Sequence, residues 1–224
     1  FAVKPLLLRR LKLIPEAPLV VAPRGEFSAG ALAIKSAKKR AYIAAAKAIG
    51  LYEGVTWQAS SSYEENDIRR WFGDQANVVI APDLPGPVRP EDEEMQHSDK
   101  TAGRLKAVFL SRICRMKNLH GALLMLKDLV GEVEFNVCGP LEDATYWSEC
   151  QEVISELPPN IRVRYHGAVA PDRVGQTIRG NDLFFLPTLG ENFGHAILEA
   201  LVAGRPVLIS DRTPWRNLED RGVG

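Results

Sequence analysis

The stretch Asp182-Leu-Phe-Phe-Leu-Pro-Thr-Leu-Gly-Glu-Asn-Phe-Gly-His-Ala-Ile-Leu-Glu-Ala-Leu-Val-Ala-Gly-Arg-Pro-Val-Leu-Ile-Ser210 decides the fold. It reads as a short apolar strand, a glycine-bearing loop, a helix stopped by Gly204, and a second apolar strand. Open α/β sheets bind ligands at the carboxyl ends of their strands, and the loop Leu189–Gly194 falls at such an edge. A helix beginning near His195 offers free N–H groups and the positive end of its dipole there. That is an anion site suited to a diphosphate. Gly194 lets the backbone come close to a ligand.

Outward from this stretch the same unit repeats. Strands are expected near Leu19–Ala22, Val55–Ala59, Val78–Ala81, Ala107–Leu110, Glu134–Cys138, Arg162–Tyr165, Asp182–Leu186 and Pro206–Ile209. Most are short apolar runs, the pattern of strands covered on both faces. Helical patterns lie between them at Ala37–Ile49, Tyr63–Phe72, His120–Val130, Tyr146–Leu157, Ala170–Arg179 and Ala196–Ala203. Ser62 followed three residues on by Glu65 reads as a capping box for the second of these. Alternating strand and helix predicts an α/β fold: a Rossmann-like parallel sheet with helices on both faces, joined by right-handed crossovers.

One stretch breaks the rhythm. Residues 82–100 hold Pro82, Pro85, Pro87 and Pro90, then Glu91-Asp92-Glu93-Glu94, with no helical or strand period. The division expected is a first part over 1–88, a linker over 89–100 and a second part over 101–224. The first part offers about three strands, few for a doubly wound domain. With no initiator Met at the start and no closing helix at Gly224, a piece of a longer chain is expected.

Composition excludes several classes. The 224 residues are 46% apolar and 25% charged, with zero formal net charge, ordinary for a globular protein. A neutral balance gives no support to nucleic-acid binding. Cys114, Cys138 and Cys150 are odd in number and show no C-x-x-C spacing; the four histidines are scattered. Neither a disulfide framework nor a metal site is expected, and a reducing, cytoplasmic setting fits. No apolar run reaches the roughly 20 residues that span a bilayer.

The candidate site residues follow from position. Glu191 lies in the loop and Glu199 about one turn inside the helix, leaning back toward its start. Both carboxylates can face one crevice, where a carboxylate beside a ribose accepts charge-assisted hydroxyl bonds. The alternative, a helix-start acid and a solvated helix residue, stays open. Phe109-Leu-Ser-Arg-Ile-Cys-Arg-Met-Lys-Asn118 follows another strand, so Arg112 and Lys117 can place two cations around a diphosphate; read alone, the segment is more readily a basic surface loop. Gly139, Gly167 and Ala168 follow further strands, where main-chain groups can meet a base, or are ordinary strand-to-helix turns. His195 is either a ligand contact or a helix-start residue. Leu6-Leu-Leu-Arg-Arg-Leu-Lys-Leu13, with Lys35, Lys38, Lys39 and Arg40, could form a membrane-surface face or merely solvated helix faces.

Taken together these motifs resemble the retaining GT-B glycosyltransferases of family four, over nearly all of residues 15–220. The E-x7-E signature with an internal Phe-Gly is met as Glu191-Asn-Phe-Gly-His-Ala-Ile-Leu-Glu199. Arg112 and Lys117 match the family's cation pair, and Ala-Pro-Arg-Gly-Glu-Phe-Ser and Trp57-Gln-Ala-Ser-Ser look like bacterial members. The resemblance implies two Rossmann-like domains facing a cleft, with a nucleotide-diphosphate sugar held mainly by the second. It implies that Glu199 holds the ribose and that Arg112 and Lys117 hold the diphosphate. Glu191, with the Phe193 and Gly194 backbone, would meet the sugar, and Gly167 and Ala168 would lie near the base. No cofactor or metal is implied, because cationic side chains and helix N–H groups stabilise the leaving diphosphate. The acceptor, a glycan or lipid-linked molecule of cell-envelope biosynthesis, is not named by the sequence, and a peripheral contact with the inner face of the membrane is left open. Two departures stand out: most of the acceptor domain, including its glycine-rich first loop, is missing, and Gln58 stands where relatives often carry His. A chain competent mainly in donor binding is therefore expected. Rival readings are a nucleotide-sugar epimerase of similar architecture and a non-catalytic sugar-nucleotide module.

Overall fold

The computed structural model describes residues 3–15, 17–33, 36–84 and 101–222. The linker expected over 89–100 lies outside the described residues, as does Lys35. The chain forms two compact units, Phe1–Leu84 with Gly190–Phe193, and Pro85–Leu189 with Gly194–Gly224.

The first unit runs α1 (Val3–Arg10), β1 (Leu19–Val21), α2 (Ala29–Ala33), α3 (Ser36–Ala48), β2 (Val55–Ala59), α4 (Ser62–Phe72) and β3 (Val78–Ile80). The three strands are parallel in the order β1-β2-β3, with Val21 opposite Trp57 and Trp57 opposite Val78. Trp57 packs with Phe27, Tyr52 and Phe72 at centroid distances of 5.7, 4.9 and 4.6 Å. These aromatics and Leu6, Ile43 and Ile68 form the core, which helps so narrow a sheet to hold a hydrophobic face. Burial on both faces fails here. Val20 and Val79, paired with Thr56 and Gln58 on one face of the sheet, are 63% and 51% exposed.

Two local differences in this unit have clear causes. Helix α1 has Pro5 in its first turn and stops at a left-handed Lys12, whose N–H donates to Arg9 O while Leu13 N donates to Leu8 O; one buried residue, Leu6, anchors it. Leu7, Leu8, Leu11, Leu13 and Ile14 are exposed. The capping box is displaced by one residue: Ser61, not Ser62, caps α4 and accepts from Glu64 N. The Glu three residues after the cap is thus Glu64, whose side chain turns to other backbone donors.

The second unit runs β4 (Arg104–Leu110), α5 (Leu119–Leu126), β5 (Glu132–Cys138), α6 (Ala144–Ser155), β6 (Ile161–Gly167), α7 (Val174–Arg179), β7 (Leu183–Leu186), α8 (His195–Val202) and β8 (Val207–Ile209). Its five strands are parallel in the order β6-β5-β4-β7-β8. Here successive residues of the inner strands are buried, as in Phe135-Asn136-Val137-Cys138 and Ala107-Val108-Phe109, so both faces are covered. Helix α5 starts one residue early and ends at Leu126 instead of Val130. Asn118, left-handed at φ 57°, caps its start by accepting from Gly121 N. Its end tightens into turns closed by Lys127 N to Leu124 O and Leu129 N to Leu126 O, leaving Val130 fully exposed. The helix expected over Ala170–Arg179 begins as a 3-10 turn, Pro171–Arg173, with proline at its first position, before α7 takes over. Among the described residues no helix is long and apolar enough to cross a membrane.

Candidate functional site

Strand order fixes where a ligand can sit. In the second sheet the chain builds outward from β4 to β5 and β6, then returns to β4's other side with β7 and β8. The loops after β4 and β7 therefore leave the sheet in opposite senses, and the crevice between them at the carboxyl edge is the topological switch point.

Hydrogen bonds join the loops of this edge into one rim. Met116 O, after β4, accepts from Leu189 N at 2.8 Å and from the Thr188 hydroxyl at 3.0 Å, both after β7. Asn118 Nδ2 donates to Pro187 O at 2.9 Å. Ser111 N donates to Cys138 O and Ile113 N to Pro140 O, tying in the end of β5. Gly139 N donates to Gly167 O at 2.7 Å, tying in β6. Thr188 is fully buried and its carbonyl accepts from the Ser210 hydroxyl.

On this rim the structure places most of the candidate residues. Lys117 is 8% exposed and is held in the 3-10 turn Arg115–Lys117 between β4 and α5. Arg112 is exposed, and its guanidinium donates to Glu142 Oε2 at 2.6 Å. Gly194, at φ 82°, caps α8, and its carbonyl accepts the first helical bonds from Ile197 N and Leu198 N. His195 and Glu199, one turn apart, lie on the exposed side of α8, opposite buried Ile197 and Ala200. Gly139 is required sterically: at φ 141° its Cβ would stand 1.8 Å from Ser111 O, so only glycine lets β4 and β5 end side by side. Gly167, at φ 75°, has nothing within 4 Å of a built Cβ, and Ala168 beside it is exposed. Glu191 and Phe193 are not among these residues; segment 190–193 groups with the first unit.

Neighbours invisible to motif reading complete the rim. Arg115 donates to Glu149 and stands 5.3 Å over the Tyr146 ring. The hydrogen bond from Arg115 holds the Glu149 carboxyl below its ordinary range, and the same bond raises the guanidinium. Tyr146, its hydroxyl pushed up by burial, accepts from His120 N at 2.8 Å. Tyr165 donates to Gly139 O at 2.9 Å and packs on Trp147. The Cys138 thiol is core, pushed up to about 11 by burial. The Asn118 cap of α5 could have been found from an Asn before an apolar helical run. A cavity of 280 Å³ lies at the opposite, amino-terminal edge of the same sheet, lined by Arg104, Lys106, Glu132, Glu134, Arg162 and Asp182 among others. Its charges are mixed and partly paired, Arg104 with Glu132 at 3.4 Å, and strand-end logic places no ligand there.

The model of the glycosyl transferases group 1 family matches residues 90–222, more than half of the chain. The chain belongs to that family. Two curated relatives are a 2-deoxystreptamine N-acetyl-D-glucosaminyltransferase of Niallia circulans, 28% identical over 109 residues, and an alpha-monoglucosyldiacylglycerol synthase of Streptococcus pneumoniae, 29% identical over 118 residues. The matches cover 47% and 51% of this chain but only 27% and 26% of those relatives. Among solved structures, Anabaena HepE in complex with UDP and glucose aligns over 95% of this chain and 58% of its own, at TM-score 0.72 and 18% identity. A sucrose-phosphate synthase of Thermosynechococcus elongatus aligns over 93% and 54%, at TM-score 0.68 and 17% identity. At such identities these likenesses show the fold of GT-B group 1 transferases.

Proposed function

We propose that this chain binds a nucleotide-diphosphate sugar through its second unit, as the donor side of a retaining family-four glycosyltransferase. The observation that carries the reading is the bonded rim at the switch point, where a helix N-terminus, Arg112 and buried Lys117 share one sheet edge. An anionic diphosphate is the ligand such a rim suits. HepE's crystals with UDP, UDP-glucose, and UDP with glucose support the ligand class.

In this reading Lys117 and Arg112 take the diphosphate, Arg112 exchanging Glu142 for a phosphate oxygen. Glu199 takes the ribose hydroxyls, and Gly139, Gly167 and Ala168 border the base. Glu191, Phe193 and the Gly194 backbone face the sugar, and His195 lies beside them at the start of α8. Charge developing on the departing diphosphate is met by the cations and helix N–H groups, without metal. The first unit is then the acceptor-side part. The exposed leucines of α1 and its following turn, interleaved with Lys4, Arg9, Arg10 and Lys12, support a peripheral membrane contact.

Calorimetric titration with UDP and GDP tests donor binding. A micromolar-range complex is expected for one of them, weakened about 10–100-fold in Lys117→Ala, the loss typical of a charge-assisted bond. Glu199→Ala should weaken it similarly. Failure of every nucleoside diphosphate to bind would remove the proposal. The extent of the alignments to longer relatives supports a chain that transfers sugar poorly by itself, and robust turnover by these 224 residues would overturn that part.

A further inference from the structure

Segment 190–193, which carries Glu191, is fastened by a residue that none of the motifs includes. Glu64, on α4, is 7% exposed. Its Oε1 accepts from Gly25 N at 2.6 Å, and its Oε2 accepts from Ser60 N at 2.7 Å. The Ser60 hydroxyl lies 2.8 Å from Glu64 Oε2 and 2.8 Å from Asn192 Oδ1. Its single proton is shared between two acceptors, so carboxylate, serine and asparagine form one bonded cluster. Asn192 also packs on the turn that Glu64 holds: a Cβ built on Gly25 would stand 3.3 Å from Asn192 Cβ. Arg24 and Gly25 are both left-handed there, at φ 52° and 80°. A turn of that shape costs energy in a residue with a Cβ and persists only where surrounding bonds determine it. Glu64 supplies that bond.

We propose that Glu64 is a positioning residue: through Ser60 and the Gly25 turn it fixes Asn192, and so sets the place of Glu191 next to it. The catalytic consequence rests on the donor-binding reading above; the positioning itself does not. Two backbone donors need two acceptor oxygens, and glutamine offers one, so Glu64→Gln breaks at least one buried bond. Ser60→Ala is gentler. It keeps both backbone bonds to Glu64 and removes the hydroxyl that bridges Glu64 Oε2 and Asn192 Oδ1.

Hydrogen exchange of the full chain, with UDP and UDP-glucose titrations on the same samples, tests this. Both variants should speed exchange of residues 190–193 by about tenfold or more, leaving β5 protection unchanged. UDP should bind within about twofold of the parent protein, whereas the extra affinity of UDP-glucose over UDP should shrink. Unchanged exchange at 190–193 in Ser60→Ala overturns the proposal, even where Glu64→Gln fails to fold. Faster exchange with an undiminished glucose increment overturns the link to Glu191. If the parent protein binds neither nucleotide, uridine is not its donor base, and the exchange result still decides the positioning.

Discussion

The two sheets follow one construction rule and reach different degrees of closure. Both are parallel and both run strand, helix, strand. The five-stranded sheet buries successive residues of its inner strands, Phe135-Asn136-Val137-Cys138 being the longest such run. The three-stranded sheet buries alternate residues of β2 and leaves Val20 and Val79 open on its other face. Apolar composition alone does not distinguish these cases. Val-Val-Ile at 78–80 reads as buried on both sides as readily as Ala-Val-Phe at 107–109. What differs is whether another layer stands on the second face.

Core truncation puts the sharpest strain on that comparison. Phe135→Ala removes a fully buried ring that packs on Phe185, and should cost about 3–5 kcal/mol. Val79→Thr on the open face should stay within about 0.5 kcal/mol. Hydrogen exchange, read separately in β5 and β2, measures both. Equal effects would show that the open face is covered in solution.

Next in size is Gly139→Ala. A methyl placed against Ser111 O at a left-handed φ should cost about 1–3 kcal/mol in strain. It should also weaken nucleotide binding by displacing the rim. Gly167→Ala, left-handed but in open space, isolates the φ cost. Matching losses at the two glycines would deny the close approach of the strand ends.

The smallest effect concerns the Arg115–Glu149 pair on the exposed surface. Glu149 has its carboxyl depressed in the folded state. Its contribution is therefore full above the ordinary carboxylate range, near 4.5, and fades as acid protonates Glu149 below it. Glu149→Gln should flatten that part of the stability profile with little change at neutral pH. A large loss at pH 7, seen by thermal melting, would make the pair more than a surface contact.

Much of the fold was legible because strand and helix periods in this chain agree with their flanking stop signals. All eight expected strands exist, within a few residues at their ends. Helix α1 is not legible because its stop is a left-handed Lys12 in place of the usual glycine or asparagine, and its burial rests on Leu6. The helix over 120–130 was overrun because Leu129 and Val130 continue the apolar pattern into a turn. At the rim, strand-end position revealed the loops but not their bonding. The Glu142, Glu149 and Tyr165 partners arrive from elements remote in sequence, and no spacing encodes them. The role of Glu64 is illegible for the same reason, since Gly25 and Asn192, the groups it ties together, are remote from it in sequence.

The Tyr165 hydroxyl bond to Gly139 O gives the rim an optical property. Tyr165 lies 4.8 Å from Trp147, ring centroid to ring centroid, and donates to the glycine that joins β5 to the crevice. The ring packed on the indole is hydrogen-bonded directly to that carbonyl. The protein thus carries an intrinsic fluorophore one side chain away from its rim, with no label needed to watch the edge move.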